Sequence, residues 1–217
     1  MSRSYQQYCP VARALELIGE RWTLLVAREL LLGPRRFTDL MDGLPGISAN
    51  VLASRLKDLE EEDLVSKRML PPPAASAVYE LTDHALGLAR VLAAMADWGT
   101  TMLGRPRKDD EVRGEWIVLG IAVTTPVPDV DDATYELHVD GEVLHVDVRD
   151  GRLQPRQGAA SDPAALITVR ATTLADLALG RVDLEAALAE GHVTVAGHDA
   201  AARHLLASIS RSWVAIT

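Results

Sequence analysis

Gly46-Ile47-Ser48-Ala49-Asn50-Val51-Leu52-Ala53-Ser54-Arg55-Leu56-Lys57-Asp58-Leu59-Glu60 is the stretch on which the fold turns. Ser48 has the chemistry of a helix N-cap, because its side-chain oxygen can accept from a backbone N–H of the first turn. A helix over 48–62 puts Leu52, Leu56 and Leu59 on one stripe, the pattern of a buried face. Asn50, Ser54, Lys57 and Asp58 fall on the opposite face, with Val51 and Arg55 at the flanks. After this helix the period shortens from about 3.6 to about 2. Residues 64–70 and 77–82 read as strands around Pro71-Pro72-Pro73-Ala74-Ala75-Ser76, a loop too long for a tight turn.

Upstream, 10–18 reads as a short helix with Val11, Ala14, Leu15 and Ile18 on one face. Residues 21–32 form a second helix ended by Gly33-Pro34, and 37–41 a third closed by Asp42-Gly43-Leu44-Pro45-Gly46. Downstream, a helix over 83–103 is apolar on more than one side. Leu88, Leu92, Met95 and Gly99 make one stripe, with Val91, Trp98 and Met102 beside it. A helix with two apolar faces packs on its own domain and on a partner, so a homodimer is expected.

Three helices, a two-stranded wing and a dimerising helix make a mainly α winged helix-turn-helix, in which the 48–62 helix enters a major groove of double-stranded DNA. Ser48, Asn50 and Ser54 are small polar candidates for base edges. Arg35, Arg36, Arg55, Lys57, Lys67 and Arg68 are candidates for phosphates. Each also has a plain structural alternative: Ser48 as a cap, Lys57 as a pair for Glu61, Arg36 as a stacking or capping residue.

The composition permits this. The 217 residues are 48% hydrophobic and 24% charged, as in ordinary globular proteins, and no run approaches the roughly 18–20 apolar residues of a membrane span. The start, Met1-Ser2-Arg3-Ser4-Tyr5-Gln6-Gln7, lacks the apolar core of a signal peptide, so a cytoplasmic protein without membrane attachment is expected. The net charge of −9 is unevenly spread. Residues 1–105 hold 12 basic against 13 acidic side chains, a net of −1; residues 106–217 hold 10 against 18, a net of −8. A near-neutral first half can bind DNA if its cations cluster, whereas the acidic second half suits another task. Cys9 is the single cysteine and the six His form no ligand motif, so neither a metal site nor a cofactor is expected.

Several motifs are shared with a known family. Cys9-Pro10-Val11, Gly19-Glu20-Arg21-Trp22-Thr23-Leu24-Leu25, Arg36-Phe37-Thr38-Asp39-Leu40 and Gly46-Ile47-Ser48 occur in order, followed by 52–60, Val78-Tyr79-Glu80-Leu81-Thr82 and Trp98. Over about residues 8–100 the chain resembles the HxlR family of bacterial regulators, and the resemblance implies a dimer on palindromic operators, read by the 48–62 helix. The chain departs from the family pattern at Asp63, where a Gly commonly ends the reader helix. It departs also at Ala85, where a Gly usually follows Leu-Thr, and at Asn50, often a Lys. Some members sense oxidants through a cysteine matching Cys9; a thiol beside a helix N-terminus can be activated there, while the plain alternative is a half-buried packing thiol.

Gly104-Arg105-Pro106-Arg107-Lys108-Asp109-Asp110-Glu111 is the linker candidate. It divides a DNA-binding and dimerisation domain at 1–104, with a linker at 105–113, from a second domain at 114–217. In the second domain, Asp140-Gly141 and Asp150-Gly151 are hairpin turns between alternating runs. Two-residue loops pair Leu137 with Leu144, Tyr135 with Val146 and Val148 with Leu153, leaving Glu136, His138, His145 and Asp147 on the other face, Glu136 opposite His145. Residues 116–123 and 167–171 read as further strands. A helix over 172–179 is capped by Thr172 or Thr173, a helix over 184–190 by Asp183; a strand at 193–196 and a helix at 199–208 follow. An antiparallel sheet with helices on one face is an α+β domain.

From Ile167 through Gly180, and again over 187–197, this order resembles the sterol carrier protein 2-like domain, across roughly residues 115–212. The resemblance implies a ligand-sized apolar cavity for a hydrophobic small molecule, with Trp116, Tyr135, Leu144 and Val146 as lining candidates that would equally fill a core. No catalytic set is recognisable, so an enzyme is not expected. The leading expectation is a dimeric regulator whose operator affinity responds to a hydrophobic effector. The alternatives are a carrier domain tethered to DNA without signalling, a structural dimer prop, and thiol-based sensing at Cys9.

Overall fold

The computed structural model describes residues 4–72 and 75–214. The start of the N-terminal segment read for targeting (1–3) and the centre of the wing loop (73–74) lie outside the described residues. The chain divides into two compact units, Met1–Leu92 and Ala93–Thr217. The division falls within a helix, ahead of the charged stretch at 105–113.

In the first unit α1 (Pro10–Ile18), α2 (Thr23–Leu31), α3 (Phe37–Gly43) and α4 (Ala49–Glu61) precede β1 (Val65–Met69) and β2 (Ala77–Leu81). Pro10 occupies the first turn of α1, where the N–H it lacks would have no helical partner. Helix α2 begins two residues later than its apolar pattern suggests, because Trp22 before it is left-handed at φ +80°. Leu52, Leu56 and Leu59 of α4 are buried with Val26, Leu30, Leu40, Leu44 and Tyr79. Each such leucine contributes about 1.5–3 kcal/mol on leaving water.

Helix α4 ends on Asp63, at φ +54°. The Leu64 N–H reaches back to the Leu59 carbonyl at 2.9 Å and Thr82 Oγ1 donates to the Asp63 carbonyl at 2.7 Å. The left-handed cap usual for glycine is therefore kept with an aspartate, one of the few other residues that tolerate it. Ala85 needs no glycine: it opens a 3₁₀ turn (Ala85–Gly87), its N–H bonded to Thr82 Oγ1 at 3.3 Å. That turn replaces the first part of the helix expected over 83–103, and α5 runs only from Leu88 to Thr100.

A buried carboxylate ties these elements together. Glu29 on α2 is 1% exposed and receives Arg28 at 2.6 Å and Arg35 at 3.8 Å. Arg28 also donates to the Gly43 carbonyl at the end of α3. A Cβ on Gly43 would stand 2.4 Å from Glu29 Oε2, so glycine here makes room for the carboxylate. Arg35 and Tyr79 exchange both backbone hydrogen bonds, at 2.9 and 2.7 Å, which fastens the segment before α3 to β2 of the wing.

The second unit contains α6 (Gly114–Thr124), β3 (Ala133–Val139), β4 (Glu142–Arg149), β5 (Arg152–Gln157), β6 (Ala165–Val169), α7 (Ala171–Ala178), α8 (Leu184–Ala189), β7 (Val193–Gly197) and α9 (Asp199–Ile209). The sheet order is β5-β4-β3-β6-β7. The Asp-Gly turns set the register as expected: Leu137 faces Leu144, Tyr135 faces Val146 and Val148 faces Leu153. Both turn aspartates are left-handed, with φ +50° at Asp140 and +49° at Asp150.

Three sequence expectations are corrected here. Residues 116–123 form helix α6, not a strand. Its β-branched run mimics a strand, but Gly114, Val118 and Ile121 recur at helical spacing and are buried. A Cβ on Gly114 would lie 2.6 Å from Val139, and Glu142 Oε2 accepts the Glu115 N–H, so the sheet itself receives the helix N-terminus. The sheet is mixed rather than antiparallel, because β6 runs parallel to β3. The short crossover is pinned by Ala160 N–H to Glu136 and Ala164 N–H to the Thr134 carbonyl, both within 2.9 Å. Finally, α7 starts at Ala171, whose N–H bonds Asp140 Oδ2 at 2.9 Å, so its cap comes from a distant turn rather than from Thr172 or Thr173. Asp183 caps α8 through the Ala186 N–H as expected.

Two stability changes follow from this geometry. Asp63→Gly relieves the left-handed aspartate and is expected to stabilise the first unit by about 0.5–1 kcal/mol in urea unfolding; a loss of stability would contradict the cap. Arg35→Ala deprives the buried Glu29 of a partner and is expected to cost about 3 kcal/mol. A cost below about 0.5 kcal/mol, the level of an ordinary surface change, would show that the pair carries no structural weight.

Candidate nucleic-acid interface

Helix α4 presents its N-terminal half outward. Ser48 Oγ accepts the Val51 N–H at 3.3 Å, so the hydroxyl caps the helix while remaining exposed. Asn50, Val51, Ala53, Ser54 and Lys57 are exposed on the side away from the leucine stripe. Small side chains at 49, 53 and 54 allow close backbone approach, and Asn50 offers the donor and acceptor needed for an adenine edge. The far end carries Glu60-Glu61-Glu62-Asp63, an acidic run that phosphate repels. The charge gradient along α4 thus favours entry by its N-terminal half.

The expected cations separate into distinct roles. Lys57 is exposed and lies 3.6 Å from Glu61. Arg55 is half-buried and pairs with Asp58 at 3.3 Å. Arg36 is exposed, and its backbone N–H is taken by Asp39 Oδ2 at 2.9 Å at the start of α3. On the wing, Lys67 Nζ stands 5.3 Å from the centroid of the Tyr79 ring, and Arg68 Nε reaches both oxygens of Glu80 at 2.9 Å. Arg35 departs from its expected role: it is 6% exposed and spent on Glu29, which removes it from the phosphate candidates. An acid on the apolar helix at 29 was the available signal for this pair, since a buried carboxylate demands a cation.

Cys9 precedes Pro10 at the N-terminus of α1 and is half-buried and unpaired by any disulfide. It borders an open concavity of about 550 Å³ with Ser4, Gln6, Gln7, Tyr8, Pro10, Arg13 and Glu16. The Tyr5 N–H and Arg13 guanidinium bind Glu16 and hold its carboxyl below the ordinary 4.5.

In the second unit the space between sheet and helices is a cavity of about 30 Å³, with Val118, Ile121, Leu137, Val146, Leu174, Leu205 and Ile209 among its lining residues. That is roughly one water-sized space, far from the ~300 Å³ of a typical ligand pocket. Of the expected lining residues, Val146 borders it. Tyr135 and Leu144 are core residues, each 1% exposed, and burial raises the Tyr135 pKa. Trp116, carried outward by the helix, lies under the Arg113 guanidinium at 5.4 Å. On the other side of the sheet Glu136 stands opposite His145 as expected, while its carboxyl meets His138 Nε2 at 2.7 Å and His145 bonds the Gly158 carbonyl. The His138 contact and the Ala160 N–H hold the Glu136 carboxyl below 4.5. Among the described residues no cluster of His, Cys, Asp or Glu could hold a metal ion, and no helix is long and apolar enough to cross a membrane.

Two family models match separate parts of the chain. Residues 17–107 match the model of the HxlR-like helix-turn-helix family, and residues 127–209 that of the SCP-2 sterol transfer family. The HTH-type transcriptional regulator YodB of Bacillus subtilis is 36% identical over 91 residues, 42% of this chain and 81% of its own length. The B. subtilis regulator YvaP is 35% identical over 95 residues, 43% of this chain and 88% of that protein. The regulator Rv3095 of Mycobacterium tuberculosis is 41% identical over 96 residues, 44% of this chain and 60% of that protein. The chain belongs to the HxlR-like family of helix-turn-helix transcriptional regulators, and its later residues match the SCP-2 model.

Proposed function

We propose that the protein is a homodimeric cytoplasmic regulator that binds palindromic double-stranded DNA, and is not an enzyme. The observation that carries this is the exposed polar face of α4, with Asn50, Ser54 and Lys57 clear of the leucine core and next in sequence to the wing. Dimerisation is supported by α5 and the turn after it, where Val91, Met95, Trp98 and Met102 are all exposed, Trp98 at 68%. Val11 and Leu15 add exposed apolar surface on α1. Two copies related by a twofold axis place two α4 helices on half-sites about one DNA turn apart.

A hydrophobic effector in the second unit is the favoured input signal, because the small cavity there is walled by apolar side chains between the sheet and α6, α7 and α9. Admission of a ligand requires that cavity to grow about tenfold, and the DNA response follows if the expanded form favours one dimer geometry. Oxidation of Cys9, beside its open concavity, is the competing input.

Selection from a random duplex pool, followed by fluorescence anisotropy across salt concentrations, tests the DNA reading. A palindromic site is expected, with affinity falling steeply in salt and Lys57→Ala reducing the slope by about 1. Failure to select any duplex would sink the proposal. Native mass spectrometry of the purified protein then identifies bound hydrophobic molecules. A ligand that binds and leaves operator affinity unchanged would make the second unit a carrier, and loss of affinity on oxidation that Cys9→Ser abolishes would assign the signal to the thiol.

A further inference from the structure

The five-stranded sheet of the second unit ends in two unlike edges, β5 and β7. An edge strand leaves alternate backbone N–H and C=O groups without a ladder partner, and it pairs with any compatible strand unless something prevents it. Strand β5 is guarded. Pro155 lacks an N–H, Arg152 and Arg156 are exposed charges, and Gln157 is drawn to Glu115 of α6 at 3.0 Å. Strand β7, Val193-Thr194-Val195-Ala196-Gly197, carries no charge and no proline, and its pairing with β6 is unbroken over all five residues. Thr194, Ala196 and Gly197 are exposed. Gly197 lies so close to β6 that a Cβ there would stand 2.8 Å from the Ala164 carbonyl, which keeps the strand on the sheet to its last residue.

We propose that β7 is the seam between the second units of the two copies in the homodimer. The strands pair antiparallel about a twofold axis at Val195, and two five-stranded sheets become one of ten strands. The inference rests on the homodimer reading above. Centring on Val195 is the register that pairs all five residues, with Val193 opposite Gly197 and Thr194 opposite Ala196. Charge selects a second copy as the occupant. Residues 106–217 carry a net of −8, so two such units repel over most of their surface. An uncharged strip is where identical strands meet without opposing acids. The acids nearest in sequence, Glu190 and Asp199, lie beyond the paired residues, and Asp199 is held by Arg203 at 2.6 Å. A seam of five residues is about 16 Å long, too short to hold two proteins by itself. It forms because pairing of the first units brings the second units to an effective concentration on the order of millimolar.

The test uses the full chain with Cys9→Ser, so that an added cysteine is its only thiol. A cross-strand pair on the axis has Cα atoms about 4.5–5.5 Å apart, within disulfide reach. Val195→Cys is expected to cross-link into a covalent dimer on the order of tenfold faster than Val143→Cys, an exposed position on β4 that the seam leaves apart. Thr194→Lys with Ala196→Lys sets like charges opposite each other twice. It is expected to weaken dimerisation about tenfold in sedimentation and, combined with Val195→Cys, to slow the cross-link. Thr194→Lys with Ala196→Glu sets opposite charges across the seam and is expected to restore both. A dimer in which Val195→Cys cross-links no faster than Val143→Cys, and in which the charge pairs change nothing, overturns the seam. The homodimer then stands, and the edge is left to the strand of another protein. A chain that is monomeric at every concentration removes the homodimer reading, and the seam with it.

Discussion

The burial of Glu29 is the constraint on which the DNA-binding unit depends. An ionised carboxylate removed from water costs several kcal/mol unless cations and hydrogen bonds replace the solvent. Here the cations are Arg28, the neighbour of Glu29 on α2, and Arg35, from the segment before α3. Gly43 gives up its side chain to admit the carboxylate, and Arg28 binds the Gly43 carbonyl. Arg35 continues into the backbone bridge with Tyr79. One buried charge therefore fixes α2, the end of α3 and the root of the wing in relation to each other.

That arrangement lets a near-neutral first half address a polyanion. The first half is near neutral, so its long-range attraction to DNA is small. What remains is local: an N-terminal half of α4 free of acids, an acidic run at the opposite end, and a wing without a carboxylate between Asp63 and Glu80. Several cations are already paired, Arg68 with Glu80 and Arg55 with Asp58, and act first as braces. Pairing and burial together separate braces from reading surface in a way that residue type does not.

The second unit shows the same division between local and distant causes. Asp-Gly turns dictate a two-residue loop and hence a register, and each cross-strand pair they imply is present. Helix α6 and the parallel pairing of β3 with β6 depend on partners far along the chain. The cavity between sheet and helices is small because α6, α7 and α9 close on the sheet with large side chains.

The sequence by itself determined the elements whose causes are local: the leucine stripe and Ser48 cap of α4, the wing after it, the Asp-Gly hairpins, the Asp183 cap and the family to which the first unit belongs. Only the tertiary structure decided that Arg35 serves Glu29, that Asp140 caps α7, that 114–124 is a helix and that Trp116 turns away from the core. The physical reason is the range of the interactions. Periodicity, capping and turn chemistry act within a few residues and leave a readable pattern. Charge burial and the choice between strand and helix for an apolar run depend on groups distant in the chain, which meet only when the chain has folded.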